Sequence, residues 1–288
     1  MLWTCILILL CATGHGSAKY SRREAVDEVP GQLHRGDAPS LVLVETYDFP
    51  LHGSPSGVIV DPGLILMAPQ YTEGAWVTAV YVTAGSVNFD IPTGEEQQRI
   101  VILDASSVAP VGANDSLYVL ELKPPLEVTD VVQVVRLSDG DAVSNCSQCL
   151  LAGWGERPEE PGYKSGFAMG SEVTEVAPSN CGMTDNEENY LCFHSVSGEP
   201  CQLNYDGPVV CRCGEKDNTL LAYATPDSCH GDGYYIKAIA IFPIVSDILP
   251  VKLAFGSTEQ QAQIGSDLYA SVASEFTEQG YGLESSRL

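Results

Sequence analysis

Positive charge is scarce in this chain. Its 288 residues carry 14 Lys and Arg against 38 Asp and Glu, a formal net charge of -24. Acidic clusters at Glu156 to Glu160 and Asp185 to Glu188 add to the imbalance. Such a surface repels a polyanionic backbone, so nucleic acid is excluded as a natural partner while a cationic protein is not. Long apolar runs are missing too, and with none of bilayer length no membrane insertion is expected. Histidine is scarce, five in all, and His34, His52, His194 and His230 show no His-x-x-x-His spacing, so no metal is implied, and no motif calls for another cofactor. There is no internal repeat and no low-complexity tract, which removes solenoids and propellers from consideration.

A hydrophobic content of 44% is enough for a core of ordinary size in one large or two modest domains. Residues 1–18 combine an apolar run, Leu2 to Ala12, with the small residues Gly16 and Ala18, the build of a cleaved signal peptide. Of ten cysteines, Cys5 and Cys11 would leave with it. Cys146, Cys149, Cys181, Cys192, Cys201, Cys211, Cys213 and Cys229 remain, an even set that predicts four disulfides in a secreted, extracellular protein. Eight cysteines allow on the order of a hundred connectivities, and sequence does not choose among them. Cys146-x-x-Cys149 and Cys211-x-Cys213 could also be read as zinc ligands, a reading the even count disfavours.

Residues 19–39 are polar, with Arg22-Arg23, Pro30 and two glycines, and read as an extended N-terminal arm. They contain Arg35-Gly36-Asp37, a tripeptide that integrins bind but one too short to carry an assignment. From Ser40 the texture changes. Short runs rich in Val, Ile, Leu and Tyr recur between Gly, Pro, Asp and Asn: 41–45, 57–60, 64–68, 77–82, 100–103, 117–122, 131–137, 150–154, 208–211, 220–224 and 234–241. That spacing predicts an all-β sandwich or barrel, with a short helix at 244–249. The extension 251–288 is polar, yet Ile264, Leu268, Val272 and Phe276 recur every fourth residue, so a partly helical tail and an unstructured one stand side by side.

The stretch most informative about function is Cys201-Gln202-Leu203-Asn204-Tyr205-Asp206-Gly207-Pro208-Val209-Val210-Cys211. It resembles the nucleophile loop of the trypsin/chymotrypsin-like serine proteases, Cys-Gln-Gly-Asp-Ser-Gly-Gly-Pro-Leu-Val-Cys, in frame and without gaps. Asn114-Asp115-Ser116-Leu117 resembles the segment bearing that family's catalytic aspartate, Gly153-Trp154-Gly155 its Gly-Trp-Gly turn, and Gly233-Tyr234-Tyr235-Ile236-Lys237 its Gly-Val-Tyr-x-Arg strand. Each motif alone is weak, but their shared order over about 40–249 is specific. The resemblance implies two packed six-stranded antiparallel β-barrels, at about 40–135 and 136–242, in a trypsin-like domain spanning 40–250. It also implies the pairings Cys149 with Cys211, Cys181 with Cys192, and Cys201 with Cys229, which leaves Cys146 and Cys213 for a fourth bridge outside the family pattern.

The same resemblance implies that the chemistry has been removed. Leu66-Met67-Ala68-Pro69-Gln70-Tyr71 resembles Leu-Thr-Ala-Ala-His-Cys and puts Gln70 at the general-base position. An amide has no titratable nitrogen with which to take up and return a proton. Tyr205 stands at the nucleophile, its phenol a ring's length beyond a serine oxygen, and is expected to fill the cleft. Asp115 persists with no imidazole to orient. Leu203 replaces an oxyanion-hole glycine, and Glu199 lies at the base of the specificity pocket, where it reads best as a solvated or hydrogen-bonded loop carboxylate. Tyr223, Ala224 and Thr225 replace Ser-Trp-Gly, the edge that pairs with substrate backbone. Asn204 replaces the aspartate that binds the new amino terminus on activation, and no Ile-Val-Gly-Gly precedes Leu41. Two glycosylation sequons, at Asn145 and Asn114, suit a secreted protein. The expectation is an inactive serine protease homologue that binds a protease, a zymogen or an inhibitor. A residual serine-type hydrolase and a structural extracellular component are the alternatives.

Overall fold

A computed structural model describes residues 31–46, 56–68, 79–88, 94–102, 107–112, 116–138, 146–154, 156–157, 160–164, 166–184, 187–196, 201, 206–213, 216–225, 228–230 and 234–248. Within them the first sheet has seven strands: β1 (Leu41–Thr46), β2 (Ser56–Asp61), β3 (Leu64–Met67), β4 (Ala79–Ala84), β5 (Gln97–Ile102), β6 (Val108–Val111) and β7 (Leu117–Glu121). Their order is β5-β4-β1-β2-β3-β7-β6, every pair antiparallel. The sheet curls around Val42, Val44, Ile65, Val80 and Val82. Its alternate positions, among them Leu41, Leu43, Leu64 and Leu66, face the other way and are equally buried. Burial on both faces is why β1 and β3 read as unbroken apolar runs.

The second half contains β8 (Arg136–Leu137), β9 (Cys146–Gly153), the hairpin β10 (Glu156–Arg157) and β11 (Glu160–Lys164), then β12 (Met169–Val176), β13 (Tyr190–Ser195), β14 (Gly207–Cys213), β15 (Lys216–Ala224), β16 (Cys229–His230) and β17 (Tyr235–Ala240). The run β17-β13-β12-β9-β14-β15 closes on itself through a β15–β17 pairing, a six-stranded barrel. Its interior holds Leu151, Val173, Phe193, Val209, Leu221, Ile236 and the Cys149–Cys211 bridge. A 3-10 turn, Phe242–Ile244, runs into a short helical turn at 245–248 whose Ile244 and Ile248 seal the first sheet.

Two six-stranded barrels were expected, and the second half forms one. The first sheet stays open between β5 and β6 among the described residues. At β5, Arg99 donates to the carbonyls of Gln98, Pro124 and Pro125, and Ser107 Oγ donates to that of Ile102.

All four bridges form: Cys146–Cys213, Cys149–Cys211, Cys181–Cys192 and Cys201–Cys229. The second compact unit of the chain begins at Gly31, so the domain edge drawn at residue 40 falls inside a packed segment. Gly170 N–H donates to Gly31 O, Leu33 N–H donates to Ala168 O, and Leu33 is buried with Leu41, Leu43 and Trp154. Arg35 donates to Gly85 O and forms an ion pair with Glu95. Asp37 accepts the His34 N–H, so the Arg-Gly-Asp tripeptide is tied into the domain surface.

Candidate functional site

The site lies where the two sheets meet, and glycine makes that approach possible. An added Cβ at Gly153, at the end of β9, would lie 1.9 Å from Asp206 O. Gly207, with φ 145°, would put one 2.1 Å from Ala152 O. The backbones at Gly153 and Gly207 therefore hold one another in place, each lacking the side chain that would part them.

Gln70, Asp115, Leu203, Asn204, Tyr205 and Glu199 lie outside the described residues, as do Asn114 and Asn145. Their described neighbours converge. Ala68, two residues before Gln70, and Leu117, two after Asp115, belong to one buried cluster with Tyr223 of β15. Asp206, which follows Tyr205, is buried at the start of β14.

Tyr223 is fully buried and reaches from the second barrel into the first sheet. Its hydroxyl donates to the carbonyl of Ser56 on β2 and accepts the backbone N–H of Ala68 beyond β3. Burial, reinforced by the charge of Asp206, pushes its phenol well above the ordinary value, while the Ala68 amide pulls weakly the other way. The side chain stays neutral through the physiological range. Below it, Ser56 Oγ donates to Asp206 Oδ1 at 3.2 Å and accepts the Trp154 N–H at 2.9 Å. Tyr223, Ser56, Asp206 and Trp154 thus form a polar bolt across an otherwise apolar seam.

The neighbouring edge is also engaged. Thr225 N–H donates to Ser228 Oγ at 2.7 Å, and the two hydroxyls lie 3.2 Å apart, so the turn after β15 consumes a backbone donor within itself. Tyr223 was legible as a replacement for a small residue, but its span across the seam was not. Asp206 was missed although it stands where the resembled loop has glycine. Its partner Ser56 is 150 residues away and nothing local marks the pair.

Among the described residues no group of three or more His, Cys, Asp and Glu could hold a metal ion. No described helix is long and apolar enough to cross a membrane. A cavity of about 360 Å³ lies over the outer face of β9 and β14, beside residues 37–41. Set beside known families, the chain matches the family model described as Trypsin over residues 48–245.

Proposed function

The chain belongs to the trypsin family of serine proteases, and from that premise we propose that it is a secreted, catalytically inactive member acting by binding protein. The observation that carries this reading is the burial of Tyr223 in the seam, at the position where the family has the serine of Ser-Trp-Gly. A whole phenol ring, bonded to Ser56 and Ala68, takes up volume beside the chain ends that lead to Gln70 and Asp115. The sequence supports the same reading: Gln70 carries no proton-accepting nitrogen, and Tyr205 places a phenol where an alkoxide must form. Loss of nucleophile and base together lowers turnover in such a triad on the order of a million-fold. With the Thr225 N–H held by Ser228, the substrate-pairing edge has lost a donor as well.

Four disulfides accord with an oxidising compartment, and residues 1–18 supply the leader that would take the chain there. Glycosylation at Asn145 or Asn114 belongs to the same reading, checked by a mobility change on glycosidase treatment. The partner is a protease, a zymogen or a protease inhibitor, bound as decoy or cofactor on a surface shaped like a protease.

The test of inactivity is an active-site fluorophosphonate probe. No labelling is expected; labelling that disappears on unfolding would establish a hydrolase instead. Affinity capture from the native fluid then addresses the partner. Recovery of protease-system proteins supports the decoy reading, while recovery of matrix components alone overturns it in favour of a structural role.

A further inference from the structure

Near its end, β12 carries a charge where its own alternation calls for an apolar side chain. Met169, Ser171 and Val173 are buried on one face of the strand, and Glu175 is next in that series. Glu175 stands opposite Phe193 of β13, which is fully buried in the barrel core, and residues paired across a ladder share a face. Glu175 nevertheless stays accessible, because its cover is missing. β12 pairs with β9 only as far as Val173 opposite Cys149 and then continues with β13. Where the strands part, a cavity of about 480 Å³ lies between 146–149 and 173–178. Val173, Val176, Ala177 and Pro178 give it an apolar wall, and Glu175 gives it its charge.

This setting separates Glu175 from the other described carboxylates. Burial raises its carboxyl above the ordinary value, and among the described residues no hydrogen bond and no cation draws it back. Glu45 is raised for the same reason but lies within the β1–β4 ladder, opposite Tyr81. Glu187 has Lys237 as its partner. The cavity of about 360 Å³ over β9 and β14 differs as well, because its polar side chains already hold one another. There, Gln148 accepts from Arg212, Asn218 donates to Val134 O, and Asp37 accepts the His34 N–H. A half-desolvated carboxylate with no counter-ion costs stability, and a cation entering the cavity offsets that cost. One carboxylate is too few ligands for a metal ion. An organic cation on an apolar stem fits instead, the stem against Pro178 and the valines and the head at Glu175. Guanidinium suits this place better than ammonium, being more weakly hydrated and able to grip a carboxylate through two parallel hydrogen bonds.

We infer that the cavity between the parting ends of β9 and β12 is a docking site for an arginine side chain of a basic protein partner, with Glu175 as its counter-ion. The net charge of -24 draws such a partner in, and Glu175 fixes where its arginine lands. The site lies at the far end of β9 from Gly153, roughly 20 Å along the strand, and is separate from the seam. It rests on the proposed protein-binding role and does not depend on catalytic inactivity.

The experiment is a chemical-shift titration of the isotope-labelled native protein with a blocked tripeptide carrying a central arginine, at about 0.01 M salt, where screening is weak. The shifted amides should map to 146–149 and 173–178, and the neutral citrulline counterpart should not shift them. Glu175→Gln should weaken binding at least about tenfold, whereas Glu172→Gln, on the outer face of the same strand, should weaken it less than about threefold. Ala177→Trp adds bulk to the cavity wall without changing charge and should abolish binding. Absent shifts, shifts centred elsewhere, equal losses in Glu175→Gln and Glu172→Gln, citrulline binding as well as arginine, or unaltered binding in Ala177→Trp would each overturn the proposal. So would binding seen only after glycosidase treatment, since Asn145 adjoins Cys146 in the cavity wall. Should Glu175→Gln not fold, Ala177→Trp and the citrulline comparison decide. Failure here leaves the fluorophosphonate result untouched, and labelling by that probe would leave this site standing.

Discussion

Tyr223 carries its hydroxyl into a space where one carbonyl and one amide hydrogen have no water to turn to, so removing the oxygen should cost more than a surface hydrogen bond. Tyr223→Phe leaves Ser56 O and Ala68 N–H without that partner and is expected to lower stability by about 1–3 kcal/mol, read from urea unfolding. The same side chain sets an alkaline limit. Its folded pKa is raised above the unfolded value, so the folded state retains a proton that the unfolded chain gives up. Stability should be unaffected below the unfolded value of about 10 and should fall as pH rises beyond it. In Tyr223→Phe that part of the slope should be absent, a difference measurable by unfolding at a series of alkaline pH values. The two seam glycines admit no comparable tolerance. Gly207→Ala puts a Cβ 2.1 Å from Ala152 O at a φ that L-residues rarely adopt. A loss above about 3 kcal/mol, or failure to fold, is expected, and a melting temperature within a few degrees of the parent would contradict the seam geometry.

At the level of elements, the strands found from sequence are those whose burial is apolar on both faces, such as β1, β3 and β15. β12 and β13 escaped that reading. In β12, Met169, Ser171 and Val173 face inward while Glu172 and Thr174 face out, so a buried serine interrupts the apolar half of the alternation. Ser171 Oγ lies 2.9 Å from Ser195 Oγ of β13, a buried polar pair legible only once the two strands are side by side. The segment 31–39 misled for a related reason: it is polar in composition, yet it is pinned by backbone bonds and one leucine. Leu33→Ala should therefore cost about 2–4 kcal/mol. Limited trypsin digestion should then cut after Arg35 faster than in the parent. Equal rates would mean that Leu33 is not what holds this segment.

Across the whole molecule, a net charge of -24 acts against compaction. Most of that charge is of one sign, and the Debye length shrinks from about 30 Å at 0.01 M salt to about 8 Å at physiological ionic strength. The melting temperature should accordingly rise with sodium chloride over that range, as followed by scanning calorimetry. No change would show that the acidic groups are too dispersed to repel one another. The ion pair of Lys237 with Glu187 runs the other way. Lys237, with help from the Thr184 backbone, holds the Glu187 carboxyl below its ordinary value, so this contribution is present at neutral pH and lost on acidification through the carboxylate range.

The sequence alone determined the family and the four bridges that its motifs and leftover cysteines imply. Those properties live in the order and identity of residues, which motif spacing preserves. The tertiary structure decided that the first sheet stays open, that residues 31–39 belong to the domain, and that Tyr223, Ser56, Asp206 and Trp154 bolt the halves together. Those depend on groups up to 167 residues apart meeting in a seam from which water is excluded. Proximity of that kind has no local signature, because each residue is an ordinary choice for its own strand or turn until the opposite wall is in place.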